Sequence, residues 1–512
     1  MLPAVRKLVG LQTMVWQLAV VFAPGCGESK APAAGDAVDA SVDQGSADGA
    51  EEEVDAGPGS PVTGSHVNTR VSNNGRTMLT VDLSANRIGV WIGSGAQQRF
   101  IAGQGETDGT FSVPDVPAGP FRLVLADEKG DNPVIYASDG DVRTFDLGFE
   151  YYRYLAEPLP LAGDNTYLNL VLSGLSPWGP GDSLSLWSYL GIDYRITGQV
   201  FPAGSTTGML KVPLDRSPII DGPGRGHEVY LLQRGVSAMA DGVQVQTFKA
   251  GVVSKALRTM QGQTTSVSET LQAFPADGVV AADVRRTQFL PFAPAGAAAG
   301  ASISVSTSRA PTKLGELIRY NTSLVNAARG SADLRIDARE ANPYPADWER
   351  VQDVQVGFAV ATTLPATMQP LATSVAMSVL DRVDALLTGP IVPRLGPVRA
   401  VQIAGAAAEE VRTGVGFTPR VSWSPPALGQ PTLYTLNIRR LEQTIEKINP
   451  VSVSTIYTGG TEVIVPPRLL QRGQWYQILI AAIAADAARP GAPHRSSFPR
   501  VRAEFLTGRF TP

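Results

Sequence analysis

From about residue 70 to the C-terminus, apolar and polar residues alternate in short runs, the period-two signature of strands with one buried face. MLTVDLS (78–84) and IGVWIGS (88–94) are the first such runs. TDGTFSVPDVPAGPFRLVLAD (107–127) predicts a hairpin: Asp108-Gly109 turns into Phe111 and Val113, and Pro117-Ala118-Gly119 reverses the chain. Phe121, Leu123 and Leu125 then return at period two. In the middle of the chain, TYLNLVLSG, DSLSLWSYLG, VQVQTFKAG, SISVSTSR, ADLRIDAR and VQVGFAVATT repeat the alternation. In SISVSTSR, Ile303, Val305 and Thr307 share one face and serines the other. Turn-rich separators such as SPWGPGD (176–182) and DGPGRG (221–226) lie between the runs. No fixed repeat period marks a propeller or solenoid.

Towards the C-terminus, PRVSWSPP (419–426) reads as a strand with Trp423 facing inward, stopped by two prolines. TLYTLNIRRL (432–441) alternates Tyr434, Leu436 and Ile438 with Leu433, Thr435 and Asn437. In LLQRGQWYQILIAAIA, Leu470, Gly473 and Tyr476 have the spacing of a tyrosine corner, in which the phenol hydroxyl bonds backbone upstream. RAEFLTG (502–508) supplies the last strand. The expected fold class is all-β: several antiparallel β-sandwich domains in tandem after a disordered acidic tether. Expected boundaries are 66–150, a large β-rich region at 151–396 holding one or two sandwiches, and 397–512.

The N-terminus breaks this pattern. Arg6 and Lys7 precede a mostly apolar run, Leu8 to Ala23, and Pro24-Gly25 ends it just before Cys26. The run is too short to span ~30 Å of hydrocarbon comfortably, and a basic start before a short apolar core is the form of a secretory signal, here residues 1–25. Cys26 is the only cysteine in the chain, so no internal disulfide or multi-thiolate metal site exists. Residues 26–65 form an acidic linker. Its stretch 27–65 holds nine acidic residues against Lys30, a net charge of −8, with no aromatic residue. Such a segment buries too little to offset its ordering entropy and is expected to be disordered, with an end-to-end distance of ~35 Å. Glu51-Glu52-Glu53 reads as part of that solvated spacer.

Net charge over the whole chain is −4, and the folded part is close to neutral, without the basic field that nucleic-acid binding needs. Nucleic acid is therefore not an expected partner. The 52 glycines and 39 prolines agree with many turns between short strands. Three histidines, His66, His227 and His494, lie far apart and offer little for zinc or for histidine-based catalysis.

Three resemblances follow from these residues. APGC around Cys26 resembles the lipobox of bacterial lipoproteins, which implies cleavage before Cys26, a thioether-linked diacylglycerol on its sulfur, and a membrane partner through that N-terminal lipid. Outer-membrane anchoring in the cell envelope is the expected location. Asp108, Gly109, Phe111, Pro117, Gly119 and Phe121 resemble the carboxypeptidase regulatory-like family, which implies a small sandwich serving as spacer or binding platform. Trp423, Tyr434, Leu470, Gly473 and Tyr476 resemble the signature of a fibronectin type III domain, which implies a scaffold or binding module. Arg-Gly-Asp is absent from the chain.

Candidate chemistry is sparse, and no catalytic, cofactor or metal residue is assigned. GPGRGH (222–227) reads as a turn, because no strand-to-helix context or Lys-Ser/Thr pair accompanies it. His227-Glu228 reads as the end of a loop. DEKGDN (127–132) and SDGD (138–141) cluster oxygens but lack the length and closing Glu of a calcium loop. Asp182, Asp193, Asp215, Asp221, Glu228 and Asp241 supply carboxylates that would serve sugar hydrolysis only if two converged. Trp178, with Trp187 and Tyr189 nearby, is a candidate for stacking on a sugar ring. The leading functional expectation is a lipid-anchored β-protein with a binding, adhesion or structural role and a glycan or protein ligand. The alternative is a surface carbohydrate-active enzyme with its catalytic domain in 151–396.

Overall fold

The computed structural model describes residues 59–512 apart from 73–74, 127–132, 153–161, 164, 189–191, 197–199, 215–218, 222–227, 240–241, 256, 311–319, 364–369, 444–447 and 496. The signal segment, Cys26 and most of the expected tether, up to residue 58, lie outside the described residues. All described strands belong to one unit, Ala56–Pro512.

The first sandwich is built from β1 (Ser60–Ser65), β2 (Val67–Ser72), β3 (Gly75–Thr80), β4 (Arg87–Ile92), β5 (Arg99–Ala102) and β6 (Gln104–Gly105). It continues with β7 (Thr110–Val116), β8 (Phe121–Ala126), β9 (Val134–Ser138), β10 (Thr144–Asp146) and β11 (Glu150–Tyr152). One sheet has the order β10-β1-β7-β6. The facing layer runs β5-β4-β8-β9, and β11-β2-β3 forms a small third sheet. Val62, Val90, Phe111, Val113, Leu123 and Phe145 fill the core, each fully buried large side chain contributing about 1.5–3 kcal/mol.

Two expectations are corrected here. Residues 60–65 are not linker: β1 pairs with β7 and, in parallel, with β10, so the sandwich begins before residue 66. Nor do residues 107–127 form a hairpin, because β7 and β8 lie in different sheets. β8 is buried along its whole length, and Val124 packs into the core of the C-terminal sandwich while Leu123 packs into its own. A strand covered on both faces belongs in the middle of a layered structure rather than in a half-wet hairpin.

The middle region holds two sandwiches. The first uses β12 (Tyr167–Ser173), β13 (Ser183–Ser188), β14 (Ile192–Ile196), β15 (Gly208–Pro213) and β16 (Val229–Ala238). β17 (Val243–Ser254), β18 (Thr264–Thr270) and β19 (Gln272–Ala273) complete it. A sheet ordered β15-β12-β18 packs on β14-β13-β16-β17 around Leu168, Leu170, Leu184 and Leu231. The second uses β20 (Gly278–Val284), β21 (Ala301–Ala310), β22 (Tyr320–Gly330), β23 (Leu334–Glu340), β24 (Glu349–Thr363) and β25 (Pro370–Arg382). Its core joins Val280 and Ile336 of the β20-β23 pair to Val245, Val305, Val325 and Val356 of the sheet β17-β22-β21-β24-β25. Twelve residues long, β17 serves both sandwiches: Val243 and Val245 enter the second core, Ala250 the first.

The C-terminal sandwich uses β26 (Arg399–Ile403), β27 (Ala406–Ala407), β28 (Arg420–Ser424), β29 (Leu433–Gln443), β30 (Ile448–Thr458), β31 (Glu462–Ile464), β32 (Tyr476–Ala484) and β33 (Arg500–Leu506). Its sheets are ordered β27-β26-β28-β31 and β30-β29-β32-β33. Both edges of the second sheet are occupied. β33 pairs antiparallel with β25 from Met377↔Ala503 to Leu380↔Arg500, and β30 pairs in parallel with β9 from Thr455↔Val134 to Thr458↔Ala137. A single hydrogen-bonded sheet of seventeen strands therefore passes from the middle region through the C-terminal sandwich into the first one. The expected antiparallel pairing dominates, but β1–β10, β2–β11, β12–β18 and β9–β30 are parallel.

Gly174 ends β12 at φ +68, and a Cβ there would overlap the Leu271 carbonyl oxygen. Gly204, at φ +81, has open space around it. Gly174→Ala is expected to destabilise the first middle sandwich by more than the about 1–2 kcal/mol that left-handed backbone alone costs, and Gly204→Ala by only that amount. Urea midpoints followed by intrinsic fluorescence check the difference.

Candidate functional site

Period-two alternation places large residues on both faces of the β13-β16-β17 layer. Leu184, Leu186, Val229 and Leu231 enter the core of the first middle sandwich, leaving Trp187, Tyr230 and Leu232 for the opposite face. There they meet Phe248 of β17, Tyr320 at the start of β22, and Tyr344 and Trp348 from the segment between β23 and β24. Trp187 lies edge-on to Tyr320 (4.2 Å), Tyr230 (4.9 Å) and Tyr344 (5.3 Å). Tyr344 and Trp348 are parallel to within 8° at 5.8 Å, and Tyr320 leans on Trp348 at 5.6 Å. Edge-to-face and offset geometries of this kind are the favourable ones for aromatic quadrupoles. Tyr230, Phe248 and Tyr344 are buried, whereas Trp187, Tyr320 and Trp348 remain partly open to solvent.

Polar groups hold the cluster in place. Asn342 closes the 341–348 turn, its Oδ1 accepting from the Tyr344 amide (3.0 Å) and its Nδ2 donating to the Tyr344 carbonyl (2.9 Å). The Ala341 amide donates to Thr247 Oγ1 at 3.1 Å. Beneath the turn, the fully buried Glu340 accepts from Thr322 Oγ1 (2.8 Å), Ser323 Oγ (3.1 Å) and Arg350 Nη2 (2.9 Å). Two more guanidinium groups border the rings: Arg234 lies 4.6 Å over Phe248, and Arg309 donates to the Trp348 carbonyl (3.1 Å). Burial, with Arg350 nearby, lowers the pKa of Arg309. The result is a fixed aromatic surface with a cationic rim, suited to stacking and CH–π contact. Its carboxylate is engaged on both oxygens.

The other sequence candidates sit elsewhere. Trp178 is corrected: its indole is 3% exposed and lies edge-on to Phe201 at 5.0 Å, inside the first middle core, so it cannot stack on a ligand. Asp182, Asp221 and Glu228 are each engaged by a different cation: Lys249 (2.9 Å), Arg258 (3.6 Å) and Lys255 (3.0 Å) respectively. His227, Tyr189, Asp215, Asp241 and the 127–132 stretch lie outside the described residues. In 138–141, Ser138 Oγ and Asp141 Oδ1 accept from the turn's own amides.

Asp108 Oδ1 accepts from the Thr110 amide (2.9 Å) and hydroxyl (2.6 Å), Gly109 takes φ +81 and Gly119 φ +101, and Phe111 is buried. In the C-terminal sandwich, Trp423 and Tyr434 meet edge-on at 5.3 Å. The Gln471 amide donates to Tyr476 Oη at 2.9 Å, Leu470 is buried, and Gly473 takes φ +77.

Sequence reasoning missed the partners of Trp187. Tyr344 and Trp348 stand in a Pro-rich stretch with no strand alternation, and Tyr320 only starts a strand. It also missed a second aromatic group at the junction of the first and last sandwiches. There His494 stacks on Phe149 at 3.9 Å beside Tyr136, Tyr457 and His66. No local pattern links residues so far apart in the chain.

Arg350→Met leaves the Glu340 carboxylate buried without its cation and is expected to cost about 3–5 kcal/mol. Urea unfolding followed by tryptophan fluorescence, which reports on Trp187 and Trp348 directly, checks this.

No known family profile matches the chain, and no curated protein matches it. Among solved structures, the crystal structure of chicken CNTN1 FN1-FN3 domains aligns over 88% of this chain and 99% of that chain, at 9% identity and a TM-score of 0.12. At that score the alignment carries no argument, and the all-β architecture rests on the strands and sheets described above.

Proposed function

We propose that the chain is a lipid-anchored protein of the bacterial cell envelope that binds a ligand without transforming it. Cys26 would carry the lipid, the acidic segment after it would act as the tether, and residues 59–512 would be the ligand-presenting body. The observation that carries the binding role is the Trp187–Tyr320–Trp348 surface, fixed by the Asn342 turn and the Glu340–Arg350 pair rather than left on a free loop. Rigid rings lose little side-chain entropy on binding and present a large amphipathic area. We assign this surface a glycan ligand, because flat rings with guanidinium groups beside them match the apolar faces and hydroxyls of a sugar.

The body supports the same reading. The tyrosine corner at Tyr476 and the Trp423–Tyr434 pair support a fibronectin type III-type module at the C-terminus. The turn residues Asp108, Gly109 and Gly119 support a carboxypeptidase regulatory-like module at the N-terminal end. Both are scaffold or binding modules where they occur. Among the middle carboxylates, Asp182, Asp221 and Glu228 each have a cation beside them, an arrangement that suits structural ion pairs.

Metabolic labelling with radiolabelled palmitate is expected to mark the wild-type chain and not Cys26→Ser; equal labelling of the two would end the anchoring reading. On a glycan array, the full-length chain is expected to bind a defined set of sugars. Trp348→Ala should weaken that binding at least tenfold without changing the far-UV circular dichroism spectrum. Retention of full binding by that variant would remove the aromatic surface from the site.

A further inference from the structure

We infer that the junction between the first and the C-terminal sandwiches is an acid-sensitive latch, held shut while the His494 ring packed between them is neutral. The junction has three parts. β9 and β30 pair in parallel over Val134–Ala137 and Thr455–Thr458, and Ser454 Oγ donates to the Pro133 carbonyl at 2.7 Å. The Asp146 amide donates to the Gly491 carbonyl at 2.7 Å, while Arg495 grips the Asp146 carboxylate through Nε (2.9 Å) and Nη2 (2.7 Å). Between these lies the aromatic group around His494, with His66, Tyr136 and Phe149 from the first sandwich and Tyr457 and His494 from the C-terminal one.

His494 reaches from the segment between β32 and β33 into the first sandwich. Its ring stacks on Phe149 and meets the edges of Tyr136 (6.0 Å) and, on its own side, Tyr457 (5.0 Å). Nε2 lies 3.1 Å from Tyr136 Oη. Tyr136 is fully enclosed, and burial together with Tyr457 raises its pKa well above the ordinary phenol value. The phenol therefore stays protonated, and the bond forms with either neutral tautomer: Nε2 accepts from the hydroxyl, or an Nε2–H donates to its oxygen.

The ionisable groups facing this ring oppose an imidazolium or are already engaged. From the first sandwich come His66, before β2, and Asp146, on β10. Arg495 adjoins it in its own segment, and Arg500 and Arg502 of β33 act on Tyr457. The one carboxylate among these, Asp146, is taken by Arg495. A proton on His494 would place a charge among apolar rings near a guanidinium. Burial pushes the His494 imidazole down to about 3, and burial lowers His66 as well, against a smaller opposing effect of Asp146.

Both folded-state values lie below the free imidazole value of 6.5, so opening takes up protons. The closed junction has its full stability above pH 6.5 and loses it as the pH falls below that value. At pH 4.5 the open-to-closed ratio should rise about 100-fold from His494 alone, with a further increase from His66.

A buried thiol reports the opening. In the full chain carrying Cys26→Ser, Ala137→Cys places a cysteine on β9 inside the junction. Its labelling by 4,4′-dithiodipyridine, divided by the rate for the urea-unfolded chain at the same pH, measures the open fraction. The expected ratio rises at least 50-fold from pH 7.5 to pH 4.5. It should rise at least tenfold less in His494→Phe, and stay flat in the His66→Phe/His494→Phe double variant. A Val325→Cys probe, buried in the second middle sandwich, should show no matching rise. A flat response in the parent chain, an undiminished rise in His494→Phe, or a parallel rise at Val325→Cys would each overturn the latch. If His494→Phe does not fold at pH 7.5, His494→Gln, which keeps an acceptor but cannot be protonated, takes its place with the same expectation.

Discussion

An exposed strand edge is a row of amide and carbonyl groups without partners, and a sandwich must cover it, blunt it or pair it. Here the four-stranded sheet of the C-terminal sandwich pairs both of its edges inside the same chain, β33 with β25 and β30 with β9. The rest of the architecture depends on that double pairing. Without it, β25 and β9 would each present an open edge, and the unit would divide into separate modules joined by loops. With it, the sandwiches share backbone hydrogen bonds as strands of one sheet do.

Side chains follow the backbone across these joints. Val124, Ile135 and Ala137 of the first sandwich belong to the C-terminal core, while Leu433, Tyr457 and Ile483 of the C-terminal sandwich belong to the first. Such exchange buries apolar area at the joint itself, at about 25 cal/mol per Å². It makes rotation of one sandwich against the other costly. The two aromatic groups stand at comparable places, one where β17 passes between the middle sandwiches and one at the junction of β9 and β30. Rings suit both, since two torsions fix a large area at small entropic cost. They differ in chemistry: the Trp187 group has permanent guanidinium charges at its margin, whereas the His494 group contains two imidazoles whose charge depends on pH.

Strand identity was readable wherever one face is wet. SISVSTSR, ADLRIDAR and TLYTLNIRRL became β21, β23 and β29 because alternation survives when solvent takes every second residue. Glycine and proline marked the turns at 108–109 and 117–119 for equally local reasons. Pairing partners were not readable. Nothing in SPVTGS announces that β1 lies between β7 and β10, and the run at 107–127 suggested a hairpin because strand adjacency in sequence is the commonest arrangement. The burial of Trp178 was hidden for the same reason: SPWGPGD is a loop by composition, but a loop can fold its one large ring inward against Phe201. The ring surface around Trp187 was half visible, through the tryptophan alone; its partners come from two distant segments that only the sheet order brings together.

The length of chain between β9 and β30 has a consequence for synthesis. Ser454 bonds the carbonyl of a residue 321 positions earlier. As the polypeptide emerges N-terminus first, β9 is complete long before its neighbour has been translated. Throughout that interval its outer row of amides and the apolar side chains destined for the last core stand uncovered. A nascent chain of this design needs a holding factor, or very rapid completion, to escape pairing with strands of other molecules. Its final hundred residues act as a keystone: the arch stands only after the last stone is set.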